Sequence, residues 1–141
     1  MASEPVIRSY QSLDHDAVVR LWAAVFPNEP AHNKSEDVIA RKSQVQPVLF
    51  YVATMDGAVI GTVLAGYDGV RGWVHKLAVS PSCRRLGIAS KLMQQAERGL
   101  SALGCTKLNL QVRGSNAQAV KFYEALGYAV EDIASLGKHL T

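Results

Sequence analysis

Two arginines and a glycine at the mouth of a helix are the residues in this chain best suited to chemistry. Arg84-Arg85-Leu86-Gly87-Ile88-Ala89-Ser90 follows a strand-like run, Leu77-Ala78-Val79, and the break Ser80-Pro81. Backbone N–H groups at a helix start carry partial positive charge and suit an anion such as a diphosphate. Gly87 and Ala89 leave little side chain between that backbone and a ligand, while Arg84 and Arg85 add formal charge. The run is neither G-x-x-x-x-G-K-[ST] nor G-x-G-x-x-G, so the two commonest nucleotide fingerprints are absent. A second constellation, Asn116 to Tyr128, lies downstream.

These residues must be carried by a small scaffold. The chain has 141 residues, which suits one domain with a well-buried core. At 48% hydrophobic and 19% charged, it reads as globular rather than disordered. No apolar run approaches the roughly 20 residues that span a bilayer, and Met1-Ala2-Ser3-Glu4-Pro5 lacks the regions of a signal peptide. A cytoplasmic location without membrane contact is the expectation. The net charge of +3 is mild and its basic residues are spread out, which argues against nucleic acid and for a small anionic ligand near Arg84. Cys83 and Cys105 make neither a disulfide framework nor a metal site, so both are read as reduced thiols. His15, His32 and His139 lack partners at ligand spacing and read as surface residues. No metal is expected.

Periodicity orders the elements. Val6–Tyr10 is a strand, and Asp14–Val25 has helical spacing with Leu13-Asp14 at its start. Pro27-Asn28-Glu29-Pro30 ends that helix, and a polar second helix covers Ser35–Ser43. Strands at Val48–Thr54, Val59–Tyr67 and Trp73–Val79 are joined by turns at Asp56-Gly57 and Asp68-Gly69, giving an antiparallel meander. A long helix, Ile88–Leu103, aligns Ile88, Leu92, Ala96 and Leu100 and ends at Gly104. Lys107–Val112 is a strand, Ala117–Leu126 a helix, and Tyr128–Val130 and Ile133–Leu140 are closing strands. The step from Trp73 to Val112 makes one parallel strand pair with a right-handed crossover. A mixed α/β sheet with helices on both faces follows.

Together these residues resemble the GNAT superfamily of N-acetyltransferases. Arg84 to Ala89 matches its Q/R-x-x-G-x-G/A signature. Asn116-Ala117-Gln118-Ala119-Val120-Lys121-Phe122-Tyr123-Glu124-Ala125-Leu126-Gly127-Tyr128 matches N-x-x-A-x-x-x-Y-x-x-x-G-F/Y. The resemblance implies a mostly antiparallel central sheet with a splayed parallel strand pair, in a single domain over residues 1–141. It implies acetyl-CoA as co-substrate and an amine as acceptor. Diphosphate would lie on the backbone of Arg84, Arg85, Leu86, Gly87, Ile88, Ala89 and Ser90, and the pantetheine arm along Leu77, Ala78 and Val79. Pantetheine amides can pair with exposed strand groups as a surrogate strand. Asn116 and Ala119 belong to the same cofactor-binding set.

An amine attacks a thioester only when neutral, and a lysine-like amine has a pKa near 10.4. Tyr123 matches the family's usual general acid, since a phenol with pKa near 10 keeps a proton to give to the thiolate. Relatives place a glutamate where this chain has Trp73, or, among protein N-terminal acetyltransferases, where it has Gln111. Both usual carboxylates are thus missing. His75 shares strand parity with Trp73, Leu77 and Val79 and is the remaining candidate base; a water chain would serve instead. Gly66-Tyr67-Asp68-Gly69-Val70-Arg71-Gly72 resembles a segment of small stand-alone bacterial acetyltransferases, which puts Tyr67, Asp68 and Arg71, with Gln111, on the acceptor side. The expected reaction is direct transfer to a primary amine of a small molecule. The rivals are a peptide N-terminal acetyltransferase, suggested by Val112-Arg113-Gly114-Ser115-Asn116, and a CoA-binding regulator without turnover. The family also leaves room for a homodimer.

Overall fold

In the computed structural model, Asp56 and Gly57 both take positive φ, 53° and 81°. A two-residue hairpin of the I′ type requires this, and the pair joins strand β2 (Phe50–Met55) to β3 (Ala58–Tyr67). The structure describes residues 4–30 and 33–141. Met1–Ser3, part of the leader reading, and His32 lie outside the described residues. The chain divides into two compact units, Met1–Leu110 and Gln111–Thr141.

The first unit holds one five-stranded sheet in the order β1-β2-β3-β4-β5, with β1 at Val6–Ser9, β4 at Gly72–Val79 and β5 at Leu108–Asn109. Every pairing is antiparallel except β4 with β5, which is parallel. That parallel ladder covers only Gly72↔Leu108 and Trp73↔Asn109. The strand expected over Lys107–Val112 therefore shrinks to two residues. Alternation in sequence reports which side chains face a core; it carries nothing about how far a neighbouring strand diverges. The edge of β4 from Val74 to Val79 has no strand beside it among the described residues.

Helices cover both faces of this sheet. Helices α1 (His15–Val25) and α2 (Ser35–Lys42) bury Val18, Leu21, Trp22 and Ile39 against Phe50, Val52, Leu64 and Ala78. Helix α3 (Ile88–Ala102) buries Ile88, Leu92, Met93, Ala96 and Leu100 toward the other face. Its approach is close: a Cβ on Gly61 would meet Leu92 Cδ1 at 3.0 Å, and one on Gly99 would overlap the Tyr51 hydroxyl. The expected cap at α1 takes another form. The Asp14 carboxylate accepts from Gln11 N at 2.8 Å and from both terminal nitrogens of Arg8, at 2.8 and 2.9 Å, rather than capping α1 itself.

The β3–β4 ladder contains an irregularity that matters for the site. Leu64 pairs with His75 and Thr62 with Ala78, so two β4 residues, Lys76 and Leu77, face one β3 residue. This is a β-bulge, and Lys76 adopts a φ of 54° within it. Thr62 Oγ1 donates to Lys76 O at 2.8 Å and accepts from Trp22 Nε1 at 2.8 Å. Lys76 Nζ meets Glu29 Oε1 at 2.6 Å and lies over the Phe26 ring, 4.6 Å from its centroid.

In the second unit, helix α4 (Ala117–Ala125) starts at Asn116, whose Oδ1 accepts from Ala119 N at 3.1 Å. It ends at Gly127, with φ 99°. The closing strands expected at Tyr128–Val130 and Ile133–Leu140 do not form. Val130, Ile133, Leu136 and Leu140 are all exposed. Their spacing suits a strand, but a strand exists only where a neighbouring strand pairs with it, and among the described residues no strand lies beside these segments.

Candidate active site

Strand β4 leads directly into the loop that opens α3. Ser80 N donates to Ile60 O at 2.7 Å, holding the end of β4, and Pro81–Cys83 form one turn of 3-10 helix. Arg85 and Gly87 then take positive φ, 66° and 75°. Gly87 is the N-cap of α3; no side chain caps that helix, and its first turn carries no acidic residue. Its leading N–H groups thus lack both a capping oxygen and a neutralising carboxylate, which suits an anion. Nothing lies within 4 Å of a Cβ built on Gly87, so it is there for its backbone shape rather than for lack of space. Arg84, Arg85 and Leu86 are exposed, Ala89 and Ser90 half-buried, and Ile88 buried, its side chain anchoring the helix start. Arg84 Nε points back to Val79 O at 3.5 Å.

Leu77, Ala78 and Val79 form the last part of β4, beside its unpaired edge. The bulge corrects the expectation that His75 shares a face with Leu77 and Val79. His75 pairs with Leu64, and Ala78 pairs with Thr62, so His75 lies on the Leu64–Ala78 face that α1 and α2 cover. Val79 pairs with Gly61, which points at Ile88 and Leu92 on the α3 side. One extra residue resets the alternation, and the sequence gives no sign of it. His75 keeps a solvent-exposed surface. Burial nevertheless holds its imidazole below the ordinary histidine range, with the Lys42 and Lys76 charges acting in the same direction.

The segment between β3 and β4 is a tight turn. Asp68 Oδ1 accepts from the backbone N–H groups of Arg71 and Val70, both at 2.8 Å, and these bonds hold its carboxyl below the usual range. Asp68 is exposed, and although its Oδ1 shapes the turn, its lowered pKa keeps the carboxylate charged. Tyr67 has its backbone clasped by Gln46, whose Oε1 accepts from Tyr67 N at 2.8 Å and whose Nε2 donates to Tyr67 O at 2.9 Å. Arg71 is exposed on the same turn. Lys42 and Gln46 carry no sequence signal marking them, and only the structure places them at the end of β3, Lys42 by Ala65 and Gly66 and Gln46 by Tyr67.

Within the second unit, Tyr123 sits on α4 with its ring edge-on to Tyr128, centroids 5.8 Å apart. Burial pushes its phenol up from the ordinary value of 10. Asn116 commits its carbonyl oxygen to the α4 cap, which leaves its NH2 group as the donor. Ala119 supplies the capped N–H. Gln111 Nε2 donates to Ser135 Oγ at 2.5 Å.

Cys83 and Cys105 are free thiols. His15 pairs with Asp16 at 3.0 Å. Among the described residues no helix is long and apolar enough to cross a membrane, and no group of three or more metal-ligating side chains occurs.

Residues 15–128 match the model of the acetyltransferase (GNAT) family. An acetyltransferase of Yersinia enterocolitica is 40% identical over 134 residues, covering 95% of this chain and 94% of that protein. Among solved structures, the aminoglycoside N-acetyltransferase AAC(6')-Iy in complex with CoA has a TM-score of 0.81 at 20% identity, covering 100% of this chain and 98% of the other. The ribosomal-protein-S18-alanine N-acetyltransferase of Escherichia coli has a TM-score of 0.74 at 23% identity, with coverage of 88% and 77%. The two structural likenesses speak to the fold.

Proposed function

The chain belongs to the acetyltransferase (GNAT) family, and on that footing we propose that it moves the acetyl group of acetyl-CoA onto a primary amine of a small molecule, directly, within one ternary complex. The observation that carries this reading is the continuous run from the unpaired β4 edge, Val74–Val79, into the uncapped N-terminus of α3 at Gly87. Such a run offers a thioester carrier strand-like hydrogen bonds first and anion-binding N–H groups next. Acetyl-CoA supplies an activated acyl group on a sulfur leaving group. Residues 1–141 serve as one acetyl-CoA-binding domain, held in the cytoplasm.

The residues divide the work. Arg84 to Ser90 hold the diphosphate, Leu77 to Val79 pair with the arm, and Asn116 donates to it through its NH2 group. In the reaction the amine nitrogen bonds to the acetyl carbon, the C–S bond breaks, and the thiolate takes up a proton. Tyr123 gives that proton, and its raised pKa keeps it available at neutral pH. His75, or water, accepts the proton that the amine sheds. Backbone N–H groups near Val79 polarise the thioester carbonyl, so that positioning and fixed dipoles supply most of the rate.

Calorimetry with acetyl-CoA, followed by thiol release over a panel of amines and peptides, tests the proposal. Binding with turnover on a small amine is the expected result. Turnover only on peptides of defined N-terminus would move the chain to the peptide-acetylating class. Tight CoA binding with no thiol release on any acceptor would make it a regulator.

A further inference from the structure

Beside the proposed acceptor side of β4 lies a cation without a counter-ion. Lys42, at the end of α2, is half-buried, and its Nζ donates to Ala65 O at 2.5 Å. It has no ion pair among the described residues. The neighbouring segments offer it none. Glu29 is bound to Lys76 at 2.6 Å, and Asp68 turns its Oδ1 to the Val70 and Arg71 N–H groups of its own turn.

Geometry brings this ammonium to the face that carries His75. A Cβ on Gly66 would lie 3.5 Å from Gln46 Oε1 and 3.7 Å from Lys42 Nζ, so Gly66 faces them. Gly66 pairs with Trp73, and Leu64 with His75, which sets Trp73 and His75 on that same face. Gln46 adopts a φ of 48° while clasping Tyr67. A non-glycine residue held in that region costs free energy and recurs at ligand sites. Along β4, the diphosphate loop lies past Val79 and this cluster lies before Lys76. The acetyl group on an extended arm would therefore fall between the two.

We infer that Lys42, seated over Gly66 and beside His75, binds a carboxylate of the acceptor, so that the preferred substrate is an amine carrying a carboxylate, of the amino-acid type. The deduction rests on the acetyl-transfer reading above. A carboxylate is favoured over a phosphate because Lys42 brings a single ammonium, one positive charge for one negative charge. A polycationic acceptor is disfavoured, since Lys42 repels it. The same positive field lowers the pKa of a bound amine, which helps a site whose usual carboxylate positions hold Trp73 and Gln111.

The experiment uses the full chain, acetyl-CoA and thiol release. Acceptors are α-amino acids, each paired with its own carboxamide, alongside a polyamine and an aminoglycoside. The expected result is a kcat/KM for the best amino acid about tenfold or more above that of its amide, the order of one charge-assisted contact. In Lys42→Met that ratio should collapse toward one, while Lys42→Arg retains most of it. Should Lys42→Met fail to fold, calorimetry on the natural protein with CoA present decides: an N-acetyl amino acid binds and its carboxamide does not. Equal use of acid and amide, fastest turnover on the polyamine or aminoglycoside, or equal loss on both partners in Lys42→Met overturns the inference. A protein that binds acetyl-CoA and turns over amines indifferent to the carboxylate sinks this inference alone. One that neither binds acetyl-CoA nor releases thiol sinks the acetyl-transfer reading, and this inference with it.

Discussion

Two side chains in the proposed mechanism are distinguished by what their surroundings do to their protons. Burial raises the Tyr123 phenol and lowers the His75 imidazole. Each shift favours the form its role needs: a proton donor that stays protonated and a base that stays neutral. Tyr123→Phe should cut kcat by about 10²–10⁴, the range for one general acid, with much less change in acetyl-CoA affinity. Steady-state kinetics beside calorimetry would read both, and an unchanged kcat removes Tyr123 from the mechanism. For His75 the sign is set by its depressed pKa, which leaves it uncharged above a pH below 6.5. As base, it gives an activity that rises with pH through an inflection under 6.5 and is flat above it, apart from the titration of the amine. In His75→Gln the low-pH inflection should vanish from the kcat/KM profile. If the profile keeps that inflection, a water chain takes the proton.

At the scale of elements, the β4 bulge separates what could be read in the sequence from what could not. Asp56-Gly57, the apolar faces of α1 and α3 and the glycine entering α3 are local signals, and the structure has them. The antiparallel meander of β2, β3 and β4 was equally legible. The bulge, the two-residue length of β5 and the missing closing strands were not, because each depends on a partner distant in sequence. The site divides the same way. The Arg84–Ser90 loop is a contiguous run and declares itself, whereas Lys42 and Gln46 reach Ala65 and Tyr67 only through tertiary packing. The bulge has its own test in Thr62, which is fully buried and bridges Trp22 and Lys76. Thr62→Val keeps the shape and orphans a buried donor and acceptor, so thermal or urea unfolding should show a loss of about 2–4 kcal/mol. Thr62→Ser, which keeps the hydroxyl, should lose less; equal losses would mean that the hydroxyl is idle.

Across the whole molecule, stability and charge answer to different residues from those proposed for catalysis. Asp14 is 6% exposed and held by Arg8 and Gln11 N, with the Arg8 hydrogen bonds the main cause of its lowered pKa. A carboxyl depressed in the folded state stabilises fully above its unfolded pKa near 3.9 and loses that stabilisation as pH falls through the lower folded value. Asp14→Asn should therefore cost about 1–2 kcal/mol at pH 7, with the two proteins converging as pH falls through the lowered folded pKa. A pH-independent difference in their unfolding would contradict this. The net charge of +3 favours an anionic co-substrate in any case, and CoA at about a hundred times its Kd should stabilise the fold by about 2.7 kcal/mol.

The surplus residue in β4 also decides where one ammonium can go. A chain shortened by Leu77 could zip β3 and β4 into an unbroken ladder and melt at a higher temperature. That repair would keep His75 opposite Leu64 but set Lys76 opposite Val63, turning its ammonium toward the α3 side and away from Glu29 and the Phe26 ring.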